Sequence, residues 1–331
     1  MSERILEVNE LTTSFKTERG LMKAVDGVSL YVNKGEILGV VGESGCGKSV
    51  TSQSIMRLYD EKYLVVYGGE ILFNGKNIFE LSEREMQSVR GKDIAMVFQD
   101  ALSSLNPVFT VGNQIIEVLK LHQNMNKEEA RKHAIEMLRL VGIPSPEKRV
   151  DQYPHELSGG MRQRVMIAIA LSCQPKLLIA DEPTTALDVT IQAQIMELIV
   201  ELNHKLDMGV ILITHDLSVV AETCSRVAVM YLGQIVEEAD VASIFDHPRH
   251  PYTLGLINSI PKINGERADR LYVIEGMVPL LSQIPQGCRF RPRCPYATER
   301  CEKEMPELIQ ISDTQKVRCW NYDQLRNEAV K

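Results

Sequence analysis

At residues 42–49 the sequence reads Gly42-Glu43-Ser44-Gly45-Cys46-Gly47-Lys48-Ser49, and this stretch decides the fold class. It follows the pattern of a glycine, four further residues and then Gly-Lys-Ser. A short apolar segment at residues 35–42 predicts a buried strand before it, and a helical pattern follows Ser49. In the order strand, loop and helix, successive backbone N–H groups surround a phosphate chain at a helix N-terminus. The sequence therefore predicts a phosphate-binding loop in an α/β protein.

The residue types in this loop indicate how it would hold ATP. Glycine is needed where the backbone approaches an anion closely or takes a positive φ. Lys48 carries the charge that neutralises the β- and γ-phosphates, and the Ser49 hydroxyl suits a Mg²⁺ ion. The candidate ATP-binding residues of this segment are Gly42, Ser44, Gly45, Cys46, Gly47, Lys48, Ser49 and Val50.

Two adjacent carboxylates follow a second apolar segment, at residues 176–180. Because side chains alternate along a strand, Asp181 and Glu182 cannot share one role. Asp181 is the natural partner of Mg²⁺, and Glu182 is the natural general base for the attacking water. A third apolar segment at residues 210–214 and a helical pattern at 189–206 predict the alternation of a parallel α/β sheet.

A further motif makes the chain resemble the ABC ATPases. It lies shortly before the carboxylate segment and reads Leu157-Ser158-Gly159-Gly160-Met161-Arg162-Gln163-Arg164. Ser158 is suited to cap the helix that follows, and Gly159 and Gly160 leave the N–H groups of its first turn open to an anion. In the family that it resembles, this signature motif meets the γ-phosphate of a nucleotide on the opposite subunit. Met161 stands where the family more commonly has Gln, and we expect little loss from this departure.

The other elements of that family occur here in the expected order. Gln99 resembles the Q-loop glutamine, which implies that it touches Mg²⁺ and the attacking water while its loop contacts a membrane subunit. Asp188 resembles the D-loop aspartate. His215 resembles the switch histidine, which implies a hydrogen bond to the γ-phosphate and orientation of Glu182. Phe15 occupies the region where the family places an aromatic ring against adenine, and a role in the apolar core is the alternative for this residue.

The resemblance covers most of residues 1–240 and implies a P-loop NTPase fold with three parts. These are a RecA-like α/β core, an antiparallel β subdomain and a helical subdomain at about residues 100–173. Within the helical subdomain, Asn126 is expected to cap a helix whose third residue is Glu129. After about residue 246 the composition shifts to prolines, histidines and arginines, which indicates a linker or an irregular extension. We therefore expect an ATPase domain at residues 1–250 and a C-terminal extension at 251–331.

The extension holds four of the seven cysteines, Cys288, Cys294, Cys301 and Cys319. In a reducing compartment, four soft ligands suit a metal centre better than disulfides. Their spacing differs from the paired C-x2-C units of a zinc ribbon, and Cys294-Pro295 is similar to the end of a ferredoxin motif. A [4Fe-4S] cluster, a Zn²⁺ ion and unligated thiols are all open on the residues alone. Three nearby arginines are expected to offset the charge of thiolates: Arg289, Arg291 and Arg293.

The same segment and a motif just before it resemble the extension of the dipeptide and oligopeptide (peptide/nickel) importer ATPases. The motif reads His250-Pro251-Tyr252-Thr253-Leu254. Some members of that branch carry an iron–sulfur cluster in the extension. The resemblance implies an ATPase subunit that uses ATP and Mg²⁺ to drive peptide uptake.

Such a subunit implies several partners. They are two transmembrane permease subunits, a second ATPase subunit of identical or homologous sequence and, indirectly, an extracellular or periplasmic peptide-binding protein. One alternative is an importer for another solute such as nickel. The other is a soluble ABC ATPase that acts on nucleic acid or ribosomes.

Bulk composition argues against the soluble alternative. The formal net charge is −7, from 37 Lys and Arg against 44 Asp and Glu, so we expect no nucleic-acid partner. The sequence has one set of ATPase motifs and no heptad tract. No apolar run reaches the roughly 18 residues of a membrane span, and the N-terminus lacks the pattern of a secretory signal. We therefore expect a peripheral protein on the cytoplasmic face of the cell membrane.

Overall fold

The computed structural model describes residues 3–18, 20–100, 104–185, 187–260 and 272–327. The chain divides into two compact units, and each is described by itself. The first unit draws on Met1–Leu6, Val32–Ile37 and Phe73–Ile213. The second unit draws on Glu7–Tyr31, Leu38–Leu72 and Thr214–Lys331.

Strands and helices alternate along most of the described chain. The strands are β1 (Arg4–Thr17), β2 (Gly20–Asn33), β3 (Ile37–Val41), β4 (Val65–Phe73), β5 (Lys76–Asn77), β6 (Ile94–Val97), β7 (Leu177–Asp181), β8 (Gly209–Thr214), β9 (Arg226–Tyr231), β10 (Gln234–Asp240), β11 (Ile309–Gln310) and β12 (Lys316–Val317). The helices are α1 (Lys48–Ile55), α2 (Glu83–Val89), α3 (Val111–Gln123), α4 (Lys127–Leu140), α5 (Pro146–Arg149), α6 (Gly159–Leu171), α7 (Val189–Leu206), α8 (Leu217–Thr223), α9 (Val241–Asp246), α10 (Pro251–Asn258) and α11 (Glu299–Lys303).

Three parallel strands form the centre of the first unit, in the order β8-β7-β6. Every residue in them is buried, which explains why the sequence shows continuous apolar runs here and no alternation. The register pairs Val97 with Ala180 and Asp181 with Ile213. The strands therefore end at a common edge, and the residues that follow β6 and β7 leave the sheet side by side.

Helices α3, α4 and α6 pack together in the first unit and form the helical part of the chain. The cap predicted for α4 is confirmed. The Asn126 side chain accepts the backbone N–H of Glu129 at 3.0 Å, and the Glu129 carboxylate accepts the N–H of Asn126 at 3.2 Å. The apolar residues of α4 and its C-cap are buried: Ala130, Ala134, Met137, Leu138 and Val141. The expected subdomain at 100–173 includes residues 101–103, which lie outside the described part of the chain.

In the second unit the strands follow the order β11-β12-β10-β9-β3. Strands β3 and β9 are parallel, whereas the pairs β9–β10, β10–β12 and β12–β11 are antiparallel. A separate group of strands has the order β2-β1-β4. The C-terminal segment thus contributes two short strands, β11 and β12, that continue the sheet beyond β10.

A buried carboxylate attaches the C-terminal segment to this sheet. Glu237 in β10 has no exposed surface. Its Oε1 accepts the backbone N–H of Arg249 at 2.7 Å and the side-chain amide of Gln315 at 2.8 Å. Its Oε2 accepts the backbone N–H of His250 at 2.9 Å. One side chain therefore binds both the beginning of the extension and the turn between β11 and β12.

Among the described residues, no helix is both long enough and apolar enough to cross a membrane.

Candidate nucleotide site

The phosphate-binding loop connects β3 with α1 in the second unit. Gly47 lies at its end with a φ of 104°, in the left-handed region that favours glycine. A Cβ atom at this position would lie 2.9 Å from the backbone oxygen of Ala24, closer than such atoms approach in folded proteins. The backbone N–H of Gly233 also donates to the carbonyl of Cys46 at 2.7 Å. The loop is thus shaped by close backbone packing, and the positive φ at Gly47 agrees with the sequence analysis.

Lys48 is the first residue of α1 and is 5% exposed. Its Nζ donates to the carbonyl oxygens of Gly42 at 2.7 Å and Glu43 at 3.1 Å. The ammonium group therefore lies over the loop that precedes it. A charge held in this position is suited to neutralise phosphate oxygens. Ser49, the candidate Mg²⁺ residue, follows directly in the first turn of the helix.

The common edge of β6 and β7 brings Gln99 and Glu182 together in the first unit. Gln99 Nε2 donates to Glu182 Oε2 at 2.8 Å, and Thr185 Oγ1 donates to the same oxygen at 3.0 Å. Two side-chain donors thus hold one carboxylate oxygen and restrict the orientation of the Glu182 side chain. Thr185 was missed by the sequence reasoning. Its only signal is its place three residues after Glu182, within reach of that side chain across one turn.

Glu182 has an uncommon backbone conformation. Its φ is 46°, in the left-handed region that non-glycine residues seldom adopt and that concentrates at functional sites. Its N–H donates to the carbonyl of Ile213 at 2.9 Å. Asp181, the last residue of β7, is 4% exposed. The chain therefore turns sharply between the two carboxylates.

The motif at residues 157–164 begins helix α6. Ser158 is its N-cap, and its hydroxyl accepts the N–H of Met161 at 3.4 Å, which confirms the predicted cap. A Cβ atom on Gly160 would lie 2.8 Å from the Ile191 side chain, so α7 approaches α6 closely there. Ser158 and Gly159 are exposed. The start of α6 is therefore open on the side where an anion would bind.

The structure places three other residues predicted for the site in different surroundings. Asp188 caps α7 through a 3.0 Å bond from the N–H of Ile191 to its side chain, so it has a structural role in the helix. His215 directly follows β8 in the sequence. Phe15 is partly buried, and its ring meets Tyr59 edge-on with centroids 5.1 Å apart. Phe15 and His215 belong to the second unit, and Asp188 belongs to the first.

The four C-terminal cysteines lie in one region of the second unit. Burial raises the pKa of Cys319 to about 12, and the negative charges of Cys294, Cys288 and Cys301 add to this effect. Burial raises the pKa of Cys294 to about 11, again with Cys288 and Cys301 contributing. Asn321 donates its backbone N–H to the Cys319 sulfur at 3.3 Å and its amide to the Cys301 sulfur at 4.0 Å. The thiols are therefore close enough to act on one another electrostatically.

This proximity does not amount to a preformed metal site. Within the described ranges, no group of three or more His, Cys, Asp or Glu side chains is arranged to hold a metal ion. All seven cysteines of the chain are free of disulfides. The predicted [4Fe-4S] cluster thus has the right donors in one region without the geometry of a completed ligand set.

The expectation that three arginines offset the thiolates is wrong for two of them. Arg293 forms a two-pronged pair with the Glu43 carboxylate at 2.6 and 3.0 Å. Arg289 binds Asp26 and the carbonyl of Leu232. A carboxylate offers two oxygens that match the geometry of a guanidinium group, and Arg293 uses both, whereas Arg289 makes one bond to its carboxylate. Arg291 pairs with Glu302 at 2.6 Å, and it is the one whose positive charge acts on the Cys288 thiol.

Comparisons with known proteins agree with the motifs. Residues 25–185 match the family described as ABC transporter, and residues 236–301 match the family described as Oligopeptide/dipeptide transporter, C-terminal region. In solved structures, the dimeric ATP-binding cassette MJ0796 bound to ADP and Pi aligns with a TM-score of 0.64 at 29% identity, covering 71% of this chain and 98% of that chain. The cbiO1 protein of Clostridium perfringens, part of the ABC transporter complex cbiONQ, gives 0.63 at 30% identity, with 73% and 91% covered. The predicted α/β ABC ATPase fold is confirmed.

Curated relatives are similar over nearly the whole chain. The oligopeptide transport ATP-binding protein OppD of Bacillus subtilis is 55% identical, over 96% of this chain and 88% of that protein. The dipeptide transport ATP-binding proteins DppD of Bacillus subtilis and Escherichia coli are 52% and 50% identical, over 99% and 95% of this chain and 98% and 96% of theirs. The chain therefore belongs to the ATP-hydrolysing, ATP-binding subunits of the oligopeptide and dipeptide ABC importer family.

Proposed function

We propose that Glu182 is the general base for ATP hydrolysis in this chain and that hydrolysis drives the uptake of dipeptides or oligopeptides. The observation that supports this most directly is the 2.8 Å contact between Gln99 Nε2 and Glu182 Oε2. Orientation of a reacting group before the reaction is a large part of its catalytic effect. In the proposed step, Glu182 takes a proton from water as the water oxygen attacks the γ-phosphorus, and ADP leaves with the electrons of the broken bond. His215 would donate a hydrogen bond to the γ-phosphate.

Residues 42–50 are proposed to hold the phosphates, with Lys48 supplying the positive charge. A Mg²⁺ ion would be held by oxygen atoms of Ser49, Asp181 and Gln99, directly or through water. Hydroxyl, carboxylate and amide oxygens are the ligand types that Mg²⁺ takes in proteins, so this donor set fits the ion. When bound, Mg²⁺ neutralises charge on the β- and γ-phosphates. Phe15 is the proposed contact for adenine, because its ring is only partly buried.

The signature motif is proposed to act on the nucleotide of a second ATPase subunit, identical or homologous to this one. The support is the open N-terminus of α6, where Ser158, Gly159, Gly160 and Met161 present the first turn of the helix. Asp188, at the start of α7, would lie in the same subunit contact. The related cassette MJ0796 has been solved as a dimer with ADP and Pi.

The remaining partners are proposed from the relatives. Proteins named for oligopeptide and dipeptide transport support two transmembrane permease subunits and, indirectly, a peptide-binding protein outside the membrane. This would place the chain on the cytoplasmic face of the cell membrane. Nickel is the alternative cargo. We propose residues 1–250 as the ATPase domain and residues 251–331 as its extension.

A [4Fe-4S] cluster on Cys288, Cys294, Cys301 and Cys319 is proposed for the extension, with Zn²⁺ as the alternative. The residues fit such a group in their chemistry, since four soft donors lie in one region, where burial and the neighbouring thiols raise the pKa of Cys294 and Cys319. Assembly would have to bring the sulfurs closer together than they stand, because they form no ligand set in the described structure.

Replacing Glu182 tests the catalytic proposal. We expect Glu182→Gln to lower kcat by about 10²- to 10⁴-fold, the contribution of a positioned general base, while ATP binding is kept. Exposed Glu201→Gln in α7 is the matched control and should hydrolyse ATP at the wild-type rate. In cells that depend on an external peptide for growth, the wild type should restore growth and Glu182→Gln should not. Equal kcat values for the two variants would contradict the assignment of the base.

Metal analysis tests the cluster. Protein purified without oxygen should be brown and contain about four iron and four sulfide per chain, and Cys294→Ser should lose both. One zinc per chain in colourless protein would establish the alternative. Absence of any metal would leave four unligated thiols.

A further inference from the structure

The phosphate-binding loop is contacted by two side chains of the C-terminal segment. Arg293, which precedes Cys294, reaches the Glu43 carboxylate with Nη1 to Oε2 at 2.6 Å and Nη2 to Oε1 at 3.0 Å. Tyr252, near the start of α10, accepts the backbone N–H of Glu43 on its hydroxyl at 2.8 Å. These contacts join residues about 200 or more positions apart within the second unit.

Glu43 is therefore bound at each of its polar groups. Its carboxylate is held by Arg293 and its N–H by Tyr252, while its carbonyl accepts Lys48 Nζ at 3.1 Å and the N–H of Cys46 at 3.3 Å. The last two contacts lie within the loop, and the first two come from the extension. The same residue thus links the lysine that serves the phosphates to the C-terminal segment.

The two external side chains are themselves rigid. The Arg293 side chain is 3% exposed, and its Nε donates to the carbonyl of Glu275 at 3.1 Å. Tyr252 is fully buried, with ring centroids 4.8 Å from Tyr231 and 5.4 Å from Phe290. Because both side chains are closely packed, their contacts restrict the position of Glu43.

We propose that Arg293 is a positioning residue for ATP binding, which holds the phosphate-binding loop in its binding shape through the carboxylate of Glu43. This inference rests on the proposed binding of ATP by residues 42–50. A two-pronged guanidinium–carboxylate pair defines both distance and orientation, whereas an ammonium group defines only distance. The extension therefore contributes to nucleotide affinity even though it would not touch the nucleotide.

The test compares ATP affinity and turnover in matched variants of the full-length protein. Arg293→Met should raise the Kd and KM for ATP by about tenfold, a typical size for coupling between two sites, with kcat at saturating ATP changed less than about twofold. Arg293→Lys should recover part of the affinity. Arg291→Met is the control, since Arg291 lies two residues away and pairs with Glu302 at the surface. It should bind ATP as the wild type does.

A second variant distinguishes the loss of this ion pair from misfolding of the extension. Glu43→Gln removes the charge from the loop and leaves the extension intact, and it should raise the Kd for ATP to a similar degree. The double variant Glu43→Gln with Arg293→Met should be no weaker than either single one, because both remove the same interaction. Unchanged Kd in Arg293→Met, or additive effects in the double variant, would overturn the inference. Failure of the wild type to bind ATP would instead overturn the proposed function.

Discussion

The phosphate-binding loop and the cysteine segment, residues 288–319, belong to the same compact unit and are held in different ways. The turn at the end of the loop is built on backbone contacts, with Gly47 against the Ala24 carbonyl and Gly233 against Cys46, and side chains of the extension hold the loop at Glu43. The cysteine segment contains one short helix and two-residue strands, and apart from the pairing of β12 with β10 it is attached through side chains such as Glu237, Arg289 and Arg293. A site shaped by backbone contacts tolerates few substitutions, whereas each side chain that attaches a segment can be substituted separately.

The largest effect is expected where the backbone construction is broken. Gly47→Ala places a methyl group 2.9 Å from the Ala24 oxygen and imposes a side chain on a φ of 104°. A displacement of about 1 Å in a catalytic loop lowers activity by about 100-fold. We therefore expect kcat/KM for ATP hydrolysis to fall by about that factor, measured by phosphate release.

Gly45→Ala separates the two causes of that loss. Gly45 also has a positive φ, at 79°, but no atom lies within 4 Å of a Cβ built there. A smaller loss than in Gly47→Ala would show that close approach of the backbone matters more than φ. Equal losses would contradict the account of the loop as a closely packed turn.

An intermediate effect is expected at the side-chain attachment of the extension. In Glu237→Gln, an amide N–H₂ group replaces one of two oxygens that both accept hydrogen bonds. This N–H₂ group then faces a donor, either the backbone N–H of His250 or the N–H of Arg249 together with the Gln315 amide. An unsatisfied buried donor costs about 1–3 kcal/mol. The free energy of unfolding should fall by that amount in urea, followed by fluorescence of Trp320, the single tryptophan. Exposed Glu307→Gln is the control and should unfold like the wild type.

The pH dependence of the same variant gives a second check. Burial raises the pKa of Glu237 to about 7 from 4.5, so this group lowers the free energy of unfolding as pH rises through that window. Burial lowers the pKa of His250 to about 3 from 6.5, so this group lowers the free energy of unfolding as pH falls below 6.5. The two slopes oppose each other between about pH 4.5 and 6.5. Glu237→Gln should therefore lose stability on going from pH 6.5 to 5 more steeply than the wild type, and equal slopes would contradict the pKa assignment.

The smallest effect is expected for a local device in the helical part of the first unit. Asn126→Ala removes the side chain that accepts the N–H groups of Glu128 and Glu129. Loss of such a cap costs about 1 kcal/mol. Urea unfolding should show this decrease in the free energy of unfolding, and ATP affinity should be unchanged. Exposed Lys127→Ala should unfold and bind ATP like the wild type. If Asn126→Ala lowered the free energy of unfolding as much as Glu237→Gln, local caps and long-range side-chain contacts would not differ in their effect on stability.

The sequence predicted best what depends on neighbours along the chain. The Asn126 and Ser158 caps, the turn at Gly47 and the buried strand before Asp181 each follow from residues within a few positions. Contacts across long separations were not predictable in this way. No local pattern indicates that Arg293 pairs with Glu43, and the three arginines between Cys288 and Cys294 led to the expectation that they offset the charge of thiolates. Thr185 was missed because a threonine in a turn is too common to be a signal.

The pairing of β12 with β10 covers one edge of the sheet in the second unit. Strand β10 is bonded to β9 on one side and to β12 on the other, through Glu237 with Val317 and Glu238 with Lys316. A strand with one unpaired edge exposes backbone N–H and C=O groups that can form hydrogen bonds with another chain. Removing residues 251–331 would expose such an edge on β10. The shortened protein would then tend to aggregate, which makes the extension a determinant of solubility as well as of ATP binding.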